Sequence, residues 1–170
     1  PVLPIAERIL RETSGPGAPW TIVEATDDRY RDLTVARTIL AALTARLSDE
    51  GRNTSPTIPE SAFGDFDEGA NVLSGVDLSQ SLDRDEYRKE LAKQQARLRR
   101  LSIEARNRGV STVLAFEGWD AAGKGGVIRR VTAALEAGDF RVIPVAAPTE
   151  EERKYHYLWR FWRDLPPAGR

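Results

Sequence analysis

Apolar residues recur along this chain with two periods, and the places where one gives way to the other mark its elements. Leu33, Ala36, Ile39, Leu40, Leu43 and Leu47 fall three or four apart, which predicts one apolar helical face. Residues 20–23 ahead of them, WTIV, are β-prone and predict a strand, with Asp27, Asp28 and Arg29 as a solvated turn that begins the helix. Between residues 48 and 78 the period vanishes, because Gly51, Gly64, Gly69, Gly75, Pro56 and Pro59 break every repeat. A structureless connection of that length predicts a boundary, with Phe63 and Phe66 packing locally inside it.

Helical spacing returns with Tyr87, Leu91, Leu98, Leu101 and Ala105. Asp83 precedes that run as an N-cap, Glu86 stands at the capping-box position, and Gly109 stops the helix. Residues 112–116, TVLAF, are a short apolar run of the kind expected for a strand covered on both faces. Val127, Ile128, Val131, Ala134 and Leu135 then resume the helical period, and Gly138 ends it. RVIPVA at 141–146 predicts a further strand, near a sheet edge or a strand end because of Pro144. Thr149 and Glu152 form a second capping box, and Tyr155, Leu158, Trp159 and Trp162 fall on one side of the helix that follows, where they are expected in the core. Arg160 and Arg163 project elsewhere, and His156, the sole histidine, is expected as a surface or core residue.

The chemistry sits where the predicted strand at 112–116 meets the predicted helix at 124 onward. Gly118, Gly123 and Lys124 match G-x-x-x-x-G-K, with Gly125 where Ser or Thr usually supplies a hydroxyl to magnesium. Trp119, Ala121, Ala122 and Gly126 complete a turn whose backbone N–H groups are expected to face a phosphate, helped by the positive end of the helix. Asp120 would repel that phosphate unless a divalent cation lay between them, so it is the candidate ligand for magnesium. Arg129 and Arg130, one turn into the helix, are candidates for the next phosphates, with simple solvent exposure as the competing account. Alternating strands and helices around a phosphate loop predict an α/β fold: a P-loop NTPase-like three-layer sandwich with a parallel sheet.

Charge and composition narrow the partners. The 170 residues carry 25 Lys+Arg and 26 Asp+Glu, a net charge of −1, so no overall basicity recruits nucleic acid or a membrane. From Arg88 to Arg108, however, eight basic residues face two acidic ones, Glu90 and Glu104. That excess fits a solvated amphipathic helix, and it also fits a positive wall beside a polyanion. With no cysteine, disulfides and thiolate metal sites are excluded. No apolar run reaches the roughly 20 residues of a bilayer span, and no signal-peptide core is present.

The blocks GWDAAGKGGVIRR at 118–130 and APTEEERKYHYLWRFWRDLPPAGR at 147–170 resemble the family-2 polyphosphate kinases, most closely the two-domain polyphosphate:AMP phosphotransferases. The resemblance implies a cytoplasmic enzyme that moves the terminal phosphate of inorganic polyphosphate to AMP with Mg2+, as a homo-oligomer. It assigns Asp120 and Lys124 the catalytic roles. It leaves ADP as an alternative acceptor, and an ATP-dependent kinase or a silent phosphate-binding module as rivals. It also implies an incomplete fold: residues 1–47 as the closing strand and helix of a preceding kinase-like domain, 48–80 as linker, and 81–170 as the first half of a P-loop domain.

Overall fold

A computed structural model of the chain describes residues 3–15, 18–48, 73 and 75–169. Most of the expected linker at 48–80, with Phe63 and Phe66, falls outside them. Two compact units emerge, Pro1–Gln94 and Gln95–Arg170.

In the first unit, α1 (Leu3–Thr13) is followed by α2 (Asp28–Ser48) and the opening turns of α3 (Arg84–Asn107). The turn before α2 does what the sequence predicts. Asp27 Oδ1 accepts the amides of Arg29 and Tyr30 at 2.9 and 2.8 Å, capping the helix. The Tyr30 amide, with Arg29 beside it, holds the Asp27 carboxyl below the usual carboxylate range. All six apolar positions of the α2 face are buried, Leu33 to 1% exposure. Asp32 is buried among them, its Oδ1 taking the Arg31 guanidinium at 2.9 Å and its Oδ2 the Tyr87 hydroxyl of α3 at 2.9 Å. A buried carboxylate is tolerable only with such donors.

In the second unit, α3 runs beside α4 (Lys124–Thr132) and the turns after it. Gln95 Nε2 donates to the Arg130 carbonyl at 2.9 Å, Arg99 pairs with Glu136, and Arg106 Nη1 reaches both Asp139 oxygens at 2.7 and 2.8 Å. Val127, Val131 and Ala134 are buried as their spacing predicts, although the regular helix ends at Thr132 and Ala133–Gly138 continue as turns. Chain further on closes against α3: Ser111 Oγ donates to the Pro167 carbonyl at 2.8 Å and accepts the Gly169 amide at 3.1 Å. A Cβ on Gly169 would stand 2.9 Å from the Arg106 carbonyl oxygen, so this contact requires glycine.

Three strand predictions fail among the described residues, and with them the parallel sheet and the three-layer sandwich. Residues 20–23, 112–116 and 141–146 belong to no strand, and among the described residues the sole β-type pairing is an isolated bridge between Gly15 and Ala18. The physical reason is that a strand exists through its ladder partner. At 20–23 the available bonds go to side chains instead: the Trp20 amide donates to Ser14 Oγ and its indole to Thr13 Oγ1, at 3.2 and 2.8 Å. At 112–116 and 141–146 no neighbouring segment pairs, and apolar side chains such as Val113 and Val145 stay 64% and 60% exposed.

The aromatic helix is the other correction. Both halves of the Thr149 capping box form, with the Thr149 amide 2.9 Å from Glu152 Oε2 and the Glu152 amide 3.2 Å from Thr149 Oγ1. Only one 3-10 turn, Glu152–Lys154, follows before Tyr155 adopts extended φ −111 and ψ 169; helix resumes as α5 (Trp159–Trp162). That break destroys the common register, so Tyr155 and Trp162 are exposed and Leu158 and Trp159 half-buried instead of forming a core face. The rings pair with each other, Tyr155 on Trp159 at 4.3 Å and His156 on Trp162 at 5.8 Å.

Candidate phosphate-binding loop

Residues 118–123 bend because three of them hold positive φ: Gly118 at 155, Ala121 at 62 and Gly123 at 82. Glycine at 118 is required by that angle more than by space, since a Cβ there would meet the Ala122 Cβ and Lys124 Cδ at ordinary distances of 3.6 and 3.9 Å. Ala121 adopts the same half of the map with a side chain, which costs about 1–2 kcal/mol. The Ala122 amide donates to the Trp119 carbonyl at 3.3 Å and closes the turn. Gly123 then serves as the N-cap of α4 without a capping side chain. Lys124, Gly125 and Gly126 therefore occupy the first turn, whose amides have no carbonyl four residues back inside the helix.

Lys124 lies within the bend. Its Nζ donates to the Gly118 carbonyl at 2.5 Å and to the Trp119 carbonyl at 2.8 Å, so the ammonium is drawn to the loop's own oxygens. Asp120 is exposed, and its Oδ1 accepts the Ala121 amide at 3.0 Å. A residue that the spacing did not flag joins them: Glu117 Oε1 accepts the Gly118 amide at 3.1 Å. Its signal in the sequence is a second carboxylate directly before the first glycine of the motif, outside the motif's own spacing. Two amides of the bend are thus taken by neighbouring carboxylates and the Ala122 amide by the Trp119 carbonyl, while the first turn of α4 keeps amides without an intrahelical partner.

The two arginines separate. Arg129 is exposed, whereas half-buried Arg130 folds back along α4 with Nη1 donating to the Gly126 carbonyl at 3.1 Å. Among the described residues no three His, Cys, Asp or Glu side chains gather closely enough to hold a metal by themselves. An exposed single carboxylate beside a phosphate cradle suits magnesium, which takes one or two protein carboxylates and completes its shell with phosphate oxygens and water.

Glycine turn, interior lysine and bare helix start are brought together at the head of α4, and comparison with known proteins shows the family. The family described as Polyphosphate kinase 2 (PPK2) matches residues 81–170. The chain belongs to that family. It is 49% identical over 160 residues to the polyphosphate:AMP phosphotransferase of Pseudomonas aeruginosa, a match covering 94% of this chain and 32% of that protein. Identity to the polyphosphate:AMP phosphotransferase of Pseudomonas syringae pv. tomato is 43% over 165 residues, 96% of this chain and 33% of that one. The ADP-polyphosphate phosphotransferase 3 of Rhizobium meliloti is 38% identical over 96 residues, 56% of this chain and 34% of its own length. A crystal structure assigned as polyphosphate kinase 2 from Pseudomonas aeruginosa superposes with a TM-score of 0.57 at 46% identity, covering 98% of this chain and 32% of that one. The chain spans about a third of the length of the curated polyphosphate:AMP phosphotransferases from the two Pseudomonas species. The resemblance carried by 118–130 and 147–170 is borne out at the level of the polyphosphate kinase 2 family. Among the described residues, no helix is long and apolar enough to cross a membrane.

Proposed function

We propose that the intact protein transfers the terminal phosphoryl group of inorganic polyphosphate to AMP, giving ADP. The observation that carries this is Lys124 inside a glycine bend at the bare start of α4, in a chain 49% identical to a polyphosphate:AMP phosphotransferase. An AMP phosphate oxygen attacks the terminal phosphorus in line. The bond from that phosphorus to its bridging oxygen breaks, and polyphosphate leaves one unit shorter. No covalent enzyme intermediate is needed, because positioning and charge neutralisation supply most of the catalysis of phosphoryl transfer. Lys124 exchanges its two carbonyl partners for oxygens of the donor, and the amides of Lys124, Gly125 and Gly126 orient the same group. Asp120 would hold magnesium, which when bound would offset phosphate charge. Arg129, free of the fold-back that engages Arg130, is the better placed of the pair for further phosphates.

The reading extends to the whole molecule. Residues 112–116 and 141–146 become strands of a parallel sheet once paired in the intact P-loop fold, residues 1–47 close a preceding kinase-like domain, and the enzyme works in the cytoplasm as a homo-oligomer. ADP is the second acceptor to test, since the Rhizobium meliloti relative is named for it. Intact protein incubated with polyphosphate and magnesium should form ADP from AMP. ATP formed from ADP instead would move the assignment to the second acceptor. Turnover that required ATP as donor, or phosphate binding without turnover, would remove it.

A further inference from the structure

Glu117 is the acid of the phosphate loop that has no part in the proposed transfer. Its side chain is exposed, and its Oε1 accepts the Gly118 amide at 3.1 Å. The carbonyl of the same glycine accepts Lys124 Nζ at 2.5 Å. Gly118 is thus held at both ends, by the acid before it and by the lysine six residues on. It needs such holding. Gly118 stands at φ 155, a backbone angle that favours glycine, and glycine has no side chain to restrict its own conformation. The other carboxylate of the loop does not help there, because Asp120 takes the Ala121 amide instead. A second negative charge in a loop that receives a polyanion is unfavourable in itself. The bond to Gly118 is what Glu117 offers against that cost.

We propose that Glu117 is a positioning residue, which through the Gly118 amide keeps the start of the bend in the shape that receives the donor phosphate. This rests on the function proposed above. In that reaction Lys124 leaves the Gly118 and Trp119 carbonyls for oxygens of the donor. From then on, the Glu117 bond is the hydrogen bond that still ties Gly118 down among the described residues. A bend that came loose as the donor arrived would have to be ordered again by binding, and the entropy of that ordering would be lost from donor affinity. Glu117 orders it beforehand. In this role the side chain touches neither phosphate nor nucleotide and acts through the backbone alone. Its acceptor oxygen matters and its charge does not, since the neutral oxygen of an amide side chain can accept the same N–H.

The test separates acceptor from charge with two neutral side chains close to glutamate in length. Glu117→Gln keeps an oxygen for the Gly118 amide, and Glu117→Met does not. Calorimetric titration of the intact protein with tripolyphosphate and magnesium, without nucleotide, should find E117M binding about fivefold more weakly than E117Q and E117Q within about twofold of wild type, the scale of one hydrogen bond. KM for polyphosphate should follow the same order. KM for AMP and the thermal midpoint should stay at wild-type values in both variants, which a general loss of structure would not allow. Equal affinities of E117Q and E117M would overturn the proposal, and any weakening the two shared would belong to the charge. A lower thermal midpoint and a raised KM for AMP accompanying the weaker binding of E117M would also overturn it, leaving Glu117 a stabilising residue. If wild type binds tripolyphosphate without passing phosphate to AMP, the function falls and the ratio of affinities still decides Glu117. A wild type that binds no tripolyphosphate would overturn both.

Discussion

Lys124 illustrates how little a side chain's identity says about its resting partners. The spacing marks it as a phosphate ligand; the bend turns two carbonyls inward and the ammonium binds them. Replacing it should therefore cost chemistry far more than stability. Lys124→Ala is expected to lower kcat by at least about 100-fold, the scale for losing one preorganised group facing transition-state charge, while calorimetry finds the thermal midpoint within about 2 °C of wild type. Asp120→Asn keeps the side chain's size and its bond to the Ala121 amide but removes the charge. The expected outcome is a magnesium titration of activity shifted to at least about tenfold higher concentration; a curve superposing on wild type would deny the carboxylate a metal role. Ala121 holds φ 62, so Ala121→Gly should relieve about 1 kcal/mol of left-handed strain, seen as a higher midpoint in thermal unfolding.

Helices were legible where their signals are local. Asp83 Oδ1 accepts the amides of Asp85 and Glu86 at 2.8 and 3.2 Å at the head of α3. At its tail the Val110 amide reaches the Ala105 carbonyl and the Gly109 amide the Arg106 carbonyl, with Gly109 at φ 69, a Schellman closure that glycine permits. The Glu86 and Asp85 amides hold the Asp83 carboxyl below the usual carboxylate range. A depressed carboxyl stabilises the folded state above its unfolded value, and that contribution is lost as pH falls through the ordinary carboxylate range and below it. Asp83→Ala should lower the thermal midpoint by about 2–4 °C at neutral pH, and the gap to wild type should close on acidification. A gap independent of pH would mean that the cap acts through something other than its charge. The segment from Thr149 to Trp162 shows the limit of such signals, since its capping box forms and the helix still breaks at Tyr155.

For the molecule as a whole, burial is concentrated where helical faces meet. Leu33 is the most enclosed large side chain among the described residues, and Leu33→Ala is expected to cost about 2–5 kcal/mol in chemical denaturation. The chain's own residues determined α2, α3 and the start of α4, the caps that bound them, the glycine bend and the membership of the polyphosphate kinase 2 family. Those features depend on groups within a few positions of one another, so spacing alone encodes them. Tertiary structure decided that Asp32 is buried against Tyr87, that Lys124 turns onto the Gly118 and Trp119 carbonyls, that Arg130 folds back while Arg129 does not, and that residues 112–116 and 141–146 join no ladder. Each of these depends on which group happens to stand opposite in space: apolar β-prone residues supply the tendency to form a strand, and only a neighbouring strand can supply its hydrogen bonds.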